Sequence, residues 1–262
     1  VCSSDLKDRF ATKAAEKDTK GLPKTYIVRA LQFSPDGTKL ATAQSDNIVY
    51  VYRIGSEWGD KKSICNKFHQ TSSITSMTWP SDQPNELVYG LADGKVKVGQ
   101  LRSNKPATLY TTDSYVTALA SNLEGNAIVS AHMDGSIWRY VFESEDDAIL
   151  GNSNGGSAGL FAHHPCVPFA LSWGQSIVAA GNDCQVYFYD NYGGIERSFM
   201  YPNDGSDCKE FTCATFNPTG ETAVVGNYNS FYIYALDPKS ESWEEVGIKR
   251  IENLYSDRKS TV

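Results

Sequence analysis

IVRALQFSPDGTKLATAQSDNIVYVYRI, residues Ile27–Ile54, decides the fold. An apolar run ending at Phe33 meets Ser34-Pro-Asp-Gly37. Proline presets φ near about −65° there and glycine accepts a positive φ, so the segment predicts a tight hairpin turn. Leu40–Gln44 follows, rich in small side chains, and then a second turn at Asp46-Asn47. Tyr50–Arg53 alternates with the period of two that places aromatic residues on one face of a strand. The stretch reads as three antiparallel strands and two turns.

The same grammar recurs four times: ITSMTWPSDQPNELVYGLADGKVKVGQL from Ile74, VTALASNLEGNAIVSAHMDGSIWRYVF from Val116, PFALSWGQSIVAAGNDCQVYFYDN from Pro168 and FTCATFNPTGETAVVGNYNSFYIYAL from Phe211. First turns fall at Ser34–Gly37, Leu123–Asn126 and Asn217–Gly220, and second turns at Asp46-Asn47, Asp93-Gly94, Asp134-Gly135 and Asp183-Cys184. The anchoring aspartates are 47, 41 and 49 residues apart, close to the roughly 40–45 residues of a WD blade. A weaker outer strand is expected after each third strand, at Ser63–Gln70, Pro106–Thr112, Ala158–His163, Ile195–Tyr201 and Trp243–Ile251. The predicted fold class is therefore all-β: a WD40-type β-propeller of four-stranded antiparallel blades, about five complete with partial flanking strands, part of a seven-bladed ring. The expected blades are 27–70, 74–112, 116–163, 168–201 and 211–251. Residues 1–26 carry an outer strand of a preceding blade near Leu6–Lys13 and a linker, and 252–262 begin a further blade or tail. Small residues in strands such as Leu40–Gln44 and Ser176–Gly181 suit crowding near a propeller axis, and the aromatic third strands would pack between blades. Trp-Asp, the usual end of the third strand, is absent. The reading rests on period and turn grammar, with Ala131-His132 and Asp134 echoing the His/Asp pair of stronger repeats.

The 262 residues carry 24 Lys and Arg against 31 Asp and Glu, a formal charge of −7, so no global basic field draws in nucleic acid. No apolar run approaches the roughly 18 residues of a membrane span. The first residues lack a starting Met and a signal-peptide pattern and read as an internal starting point of a longer parent chain. Cys2, Cys65, Cys166, Cys184, Cys208 and Cys213 form no CxxC pair. They read as reduced thiols, with Cys65, Cys184 and Cys213 packed beside strands. The acidic run Glu143–Asp147 and the Gly/Ser-rich Gly151–Gly159 read as a mobile loop between blades.

Catalytic patterns are weak. His163-His164-x-Cys166 has metal-ligand chemistry but no second pair at structural zinc spacing, and reads as a packed or surface blade junction. His132 with Asp134 reads as a structural histidine rather than a base and its orienter. Gly151–Gly159 lacks the lysine and following helix of a phosphate loop, and no G-x-S-x-G elbow occurs. Lys61-Lys62 and Lys95 with Lys97 are small basic spots at strand ends. No catalytic, metal or cofactor residue is assigned.

One group of segments goes beyond a generic blade: SDNIVYVYRIGSEWGDKKSICNKF (Ser45–Phe68) with FSPDGTKLA (Phe33–Ala41), DSYV (Asp113–Val116), HPCVPFALSW (His164–Trp173), SIVAAG (Ser176–Gly181) and IENLY (Ile251–Tyr255). In this collinear order, across nearly the whole chain, the sequence resembles the first WD propeller of the large intraflagellar transport complex B subunit. The resemblance implies a non-enzymatic scaffold of ciliary trains, needed to build cilia, at the cilium or flagellum and its basal body on the cytoplasmic side. It implies other complex B subunits as partners, with cargo or an anionic membrane surface as further ones, and no nucleic acid or cofactor. Interaction residues are expected among Trp58, Trp138, Tyr228 and Phe231 on the rim. The alternative, a coat-like propeller that reads membrane or cargo tails, would use Lys61 and Lys62. A propeller enzyme is disfavoured, because no carboxylate or histidine cluster repeats with the blades.

Overall fold

A computed structural model describes residues 26–55, 63–143, 156–202 and 210–250. Twenty strands form five separate four-stranded antiparallel meanders, and no helix occurs among the described residues. The first two sheets are β1–β4 (Val28–Phe33, Lys39–Gln44, Ile48–Arg53, Ser63–His69) and β5–β8 (Ile74–Thr78, Glu86–Leu91, Lys95–Gln100, Lys105–Thr111). The third and fourth are β9–β12 (Val116–Ser121, Ala127–His132, Ser136–Val141, Ser157–His163) and β13–β16 (Ala170–Trp173, Ile177–Ala180, Gln185–Tyr189, Ile195–Met200). The fifth is β17–β20 (Cys213–Phe216, Thr222–Gly226, Ser230–Asp237, Ser242–Arg250). These are the four-stranded WD-type blades that the repeat grammar predicts. They divide into two compact units, one up to Asp113 and one from Ser114. The expected strand at Leu6–Lys13, the start of a further strand at Asn253–Tyr255, and most of the Glu143–Gly159 loop lie outside the described residues.

Both turns of the repeat are built by one device, a side chain at the first turn position that accepts backbone N–H groups further on. Asp46 Oδ1 accepts from Ile48 N, Asp134 Oδ1 from Ser136 N and Asp183 Oδ1 from Gln185 N, at 3.0–3.3 Å. The fifth sheet uses Asn227, whose Oδ1 accepts from Ser230 N at 2.8 Å. Asn47, Gly94, Gly135 and Cys184 follow the aspartates with φ of 61°, 83°, 85° and 60°. In the third sheet the first turn is framed one residue earlier than the sequence suggested. Asn122 sits at its head, bonding Gly125 and Ala127 N, and Gly125 takes φ 78°.

A second repeated bond straps the outer strands of the first four sheets to this turn. The residue just after it donates its N–H to the carbonyl of the positive-φ residue: Gln70 to Asn47, Thr112 to Gly94, His164 to Gly135 and Tyr201 to Cys184, at 2.8–3.0 Å. Three of those side chains then reach a tyrosine hydroxyl of the following blade: Gln70 to Tyr89, His164 to Tyr189 and Tyr201 to Tyr234.

The second strands are the most enclosed, with every residue of β10 and β14 buried. Their small residues have a direct cause: both faces of each are covered, so the pattern is continuously apolar rather than alternating. Along β14, Ile177 and Ala179, with Leu171 of the same blade, join a core with Val129 and Ala131 of the third blade. Val178 and Ala180 join a core with Val225, Tyr232 and Trp243 of the fifth. The aromatic third strand β15 divides likewise, Tyr187 and Tyr189 to one side and Phe188 to the other. In the first unit Val49, Val51 and Phe68 pack against Trp79, Leu87 and Tyr89.

Two expectations are corrected. The loop reading of Gly151–Gly159 overlaps the outer strand expected at Ala158–His163, and the strand prevails, β12 beginning at Ser157. An outer strand needs one covered edge and no buried face, so Gly/Ser composition does not bar it. Cys65 and Cys213 are exposed rather than packed, because their strands lie at sheet edges where alternate residues face solvent, whereas Cys184 is buried as expected. No disulfide joins the four described cysteines.

Candidate functional site

The rim candidates divide. Trp58, Lys61 and Lys62 lie outside the described residues. Trp138 is half-buried within β11, opposite Ser130 and Leu160. Tyr228 is 62% exposed in the β18–β19 turn, and Phe231, half-buried, is the second residue of β19. The fold thus brings Tyr228 and Phe231 to one turn and sets Trp138 on a different sheet. Lys95 pairs with Asp93 at 2.5 Å and Lys97 donates to Gln70 Oε1, so both basic residues serve strand ends.

A surface that the sequence did not flag lies on the third and fourth blades. Arg139 Nη1 donates to Asn191 O at 2.8 Å while the guanidinium lies over the Phe161 ring, 5.6 Å from its centre. It borders an open cleft of about 520 Å³ lined by Asn122, Glu124, Gln175 and Asn191. Tyr192, 92% exposed, caps the neighbouring hollow with Leu160. Amides, a guanidinium and an exposed phenol supply adaptable polar contacts and a rigid aromatic anchor of the kind found in protein interfaces. Their only sequence signal was Asn-Tyr-Gly-Gly at 191–194, a turn that must display its second residue.

His132 is fully buried. Ser130 Oγ lies 2.7 Å from Nε2 and the Ser114 carbonyl oxygen 3.0 Å from Nδ1, so one ring nitrogen is engaged within β10 and the other ties β10 to the segment that leads into β9. The neighbouring Asp134 spends its carboxylate on Ser136 N and Oγ. That arrangement orders a turn and keeps the imidazole wholly inside the blade, away from solvent.

His164 is different. It is 5% exposed, Nδ1 lies 2.8 Å from Tyr189 Oη, and Nε2 has no partner. An orphaned buried ring nitrogen costs roughly 1–3 kcal/mol. The Tyr187 ring meets the imidazole edge-on at 4.9 Å, and the Tyr187 hydroxyl donates to Asp183 Oδ2 at 3.2 Å. A His164 ring nitrogen, the Cys166 sulfur and an Asp183 carboxylate oxygen lie within 4.8 Å of one another. Burial drives the His164 pKa from 6.5 down to about 4, against the opposing pull of Asp183, and burial raises the Cys166 thiol to about 11. Sequence had paired His164 with Cys166. Asp183, the turn anchor of the next repeat, joins them because the segment after β12 crosses beside that turn.

Burial also lowers the His132 pKa, offset in part by the Ser114 carbonyl and Asp134. With folded values below 6.5, the unfolded chain binds protons that the folded chain excludes. Stability from both rings is full above about 6.5 and is lost as pH falls below it, for His164 down to about 4. The denaturation midpoint should therefore fall between about pH 7 and about pH 5, and His132→Gln should shrink that fall. An identical fall in variant and parent contradicts this.

Comparison with known proteins agrees with the blades. The WD domain, G-beta repeat family matches residues 21–53. The chain is 49% identical over 258 residues to intraflagellar transport protein 172 of Chlamydomonas reinhardtii, covering 97% of this chain and 14% of that protein. It is 44% identical over 253 residues to the human homolog, covering 96% and 14%, and 34% identical over 251 residues to intraflagellar transport protein osm-1 of Caenorhabditis elegans, covering 95% and 14%. The chain thus spans about one seventh of the length of these relatives.

Proposed function

This chain belongs to the intraflagellar transport protein 172 family, and we propose that its blades are a non-enzymatic scaffold for intraflagellar transport at the cilium or flagellum. The observation that carries the reading is likeness over 95–97% of the chain to relatives named for that process. The five blades are proposed to occupy 27–70, 74–112, 116–163, 168–201 and 211–251 of a seven-bladed ring. Their partners are other intraflagellar transport components. Because both faces of the second strands are spent on core packing, docking falls to turns and outer strands. Tyr228 with Phe231, Arg139 with Tyr192, and Trp58 are the proposed anchors.

The test is capture from ciliated-cell extract on the immobilised chain at low and high salt. Intraflagellar transport subunits should be retained at both, and Tyr228→Ala combined with Phe231→Ala should lower retention about tenfold or more. Recovery of vesicle components alone, lost at high salt, would replace the scaffold with the coat-like membrane reader.

A further inference from the structure

We propose that His164, Cys166 and Asp183 form a binding site for one zinc-class divalent cation. An imidazole, a thiol and a carboxylate make a donor set suited to zinc, and their ligand atoms already lie within 4.8 Å of one another. Ordinary zinc bond lengths put tetrahedral ligand atoms about 3.4–3.6 Å apart. Binding must draw the group in by about 1 Å, within reach of side-chain rotation at Cys166 and Asp183, which are only half-buried.

The strap role of His164 accounts for its backbone and for Nδ1, held by the Tyr189 hydroxyl. It does not account for Nε2, which is buried and unpartnered. With its proton on Nδ1 and donated to Tyr189 Oη, the ring keeps its lone pair on Nε2. That arrangement, in which the outer nitrogen of a ligand histidine is anchored by a hydrogen bond, orients metal-bound imidazoles generally. Asp183 also lines an open cleft of about 450 Å³ with Asn182, Gln185 and Met200, which exposes the carboxylate side of the group to solvent. Three protein ligands leave a fourth position for water. On binding, a metal–sulfur bond replaces the Cys166 S–H bond and the proton passes to solvent.

Cobalt(II) is the probe. Titrated into the reduced full chain, it should bind at one equivalent. A thiolate-to-cobalt charge-transfer band and tetrahedral visible bands should appear, and one equivalent of zinc should abolish them. Cys166→Ser should remove the charge-transfer band, while loss of Cys65 or Cys213 should leave it. Asp183→Asn keeps the turn, since Asn227 fills the same role in the fifth blade. It should weaken cobalt binding at least about tenfold with the thiolate band retained, and Tyr189→Phe should weaken it about 10–100-fold. Absence of the charge-transfer band in the parent, its persistence in Cys166→Ser, or unchanged affinity in Asp183→Asn each overturns the site.

Discussion

Replacing Trp243 by Ala should lower the unfolding free energy of the second unit by about 3–5 kcal/mol. Trp243 stands on the outer strand β20 yet is fully buried, because its ring turns back onto the preceding blade. It stacks on Phe188 at 4.4 Å and 17°, and Phe216 meets its edge at 5.7 Å. Its Nε1–H donates to Ser176 Oγ at 2.9 Å, and that hydroxyl donates to Glu196. Truncation therefore removes a large apolar contact, opens a cavity between two blades and takes away the donor to Ser176 Oγ, with little room for collapse because β14 is closed on both faces. Denaturant titration followed by circular dichroism measures the change, with Trp243→Phe expected to recover about half of it through ring packing alone. A loss below about 1 kcal/mol would mean that the fourth and fifth blades do not depend on this contact.

Gly135→Ala should cost about 3 kcal/mol or more, and Gly37→Ala only about 1–2. Both glycines have positive φ, 85° and 69°. A methyl group on Gly37 meets nothing within 4 Å, so only backbone strain applies. On Gly135 it would lie 2.6 Å from the His164 carbonyl oxygen. That carbonyl cannot retreat easily, because the His164 N–H is itself bound to the Gly135 carbonyl at 2.8 Å. In the third blade the carbonyl of the strapping residue thus sets the cost of a side chain at this turn position, which Asn47 and Cys184 occupy with one in the first and fourth blades. Equal midpoint shifts for the two variants would show that the strap yields.

The contrast shows what the sequence could carry. Turns with proline, glycine and aspartate announce themselves through local backbone demands, so Ser34–Gly37 and Asp134-Gly135 were legible from residue types alone. The frame of the third blade slipped because Asn122 and Asn126 are both able turn residues, and only the bonds to Gly125 and Ala127 choose between them. Asn227 was missed as the fifth anchor because an aspartate had been sought, although an amide oxygen accepts the same N–H groups. The loop reading of Gly151–Gly159 ran into the strand expected from Ala158 because composition reports core-building capacity, and an outer strand needs little. Asp183 was assigned its turn and nothing more. Its meeting with His164 and Cys166 depends on where the segment after β12 crosses the next blade, a long-range fact that no local pattern encodes.

The family reading is tested most directly by exchange. In Chlamydomonas cells whose only intraflagellar transport protein 172 carries this chain in place of its own matching 258-residue segment, flagellar assembly should be restored and the chimaera should enter the flagella. A folded, expressed chimaera that leaves the cells without flagella would contradict the proposal that these blades carry the scaffold function of the family.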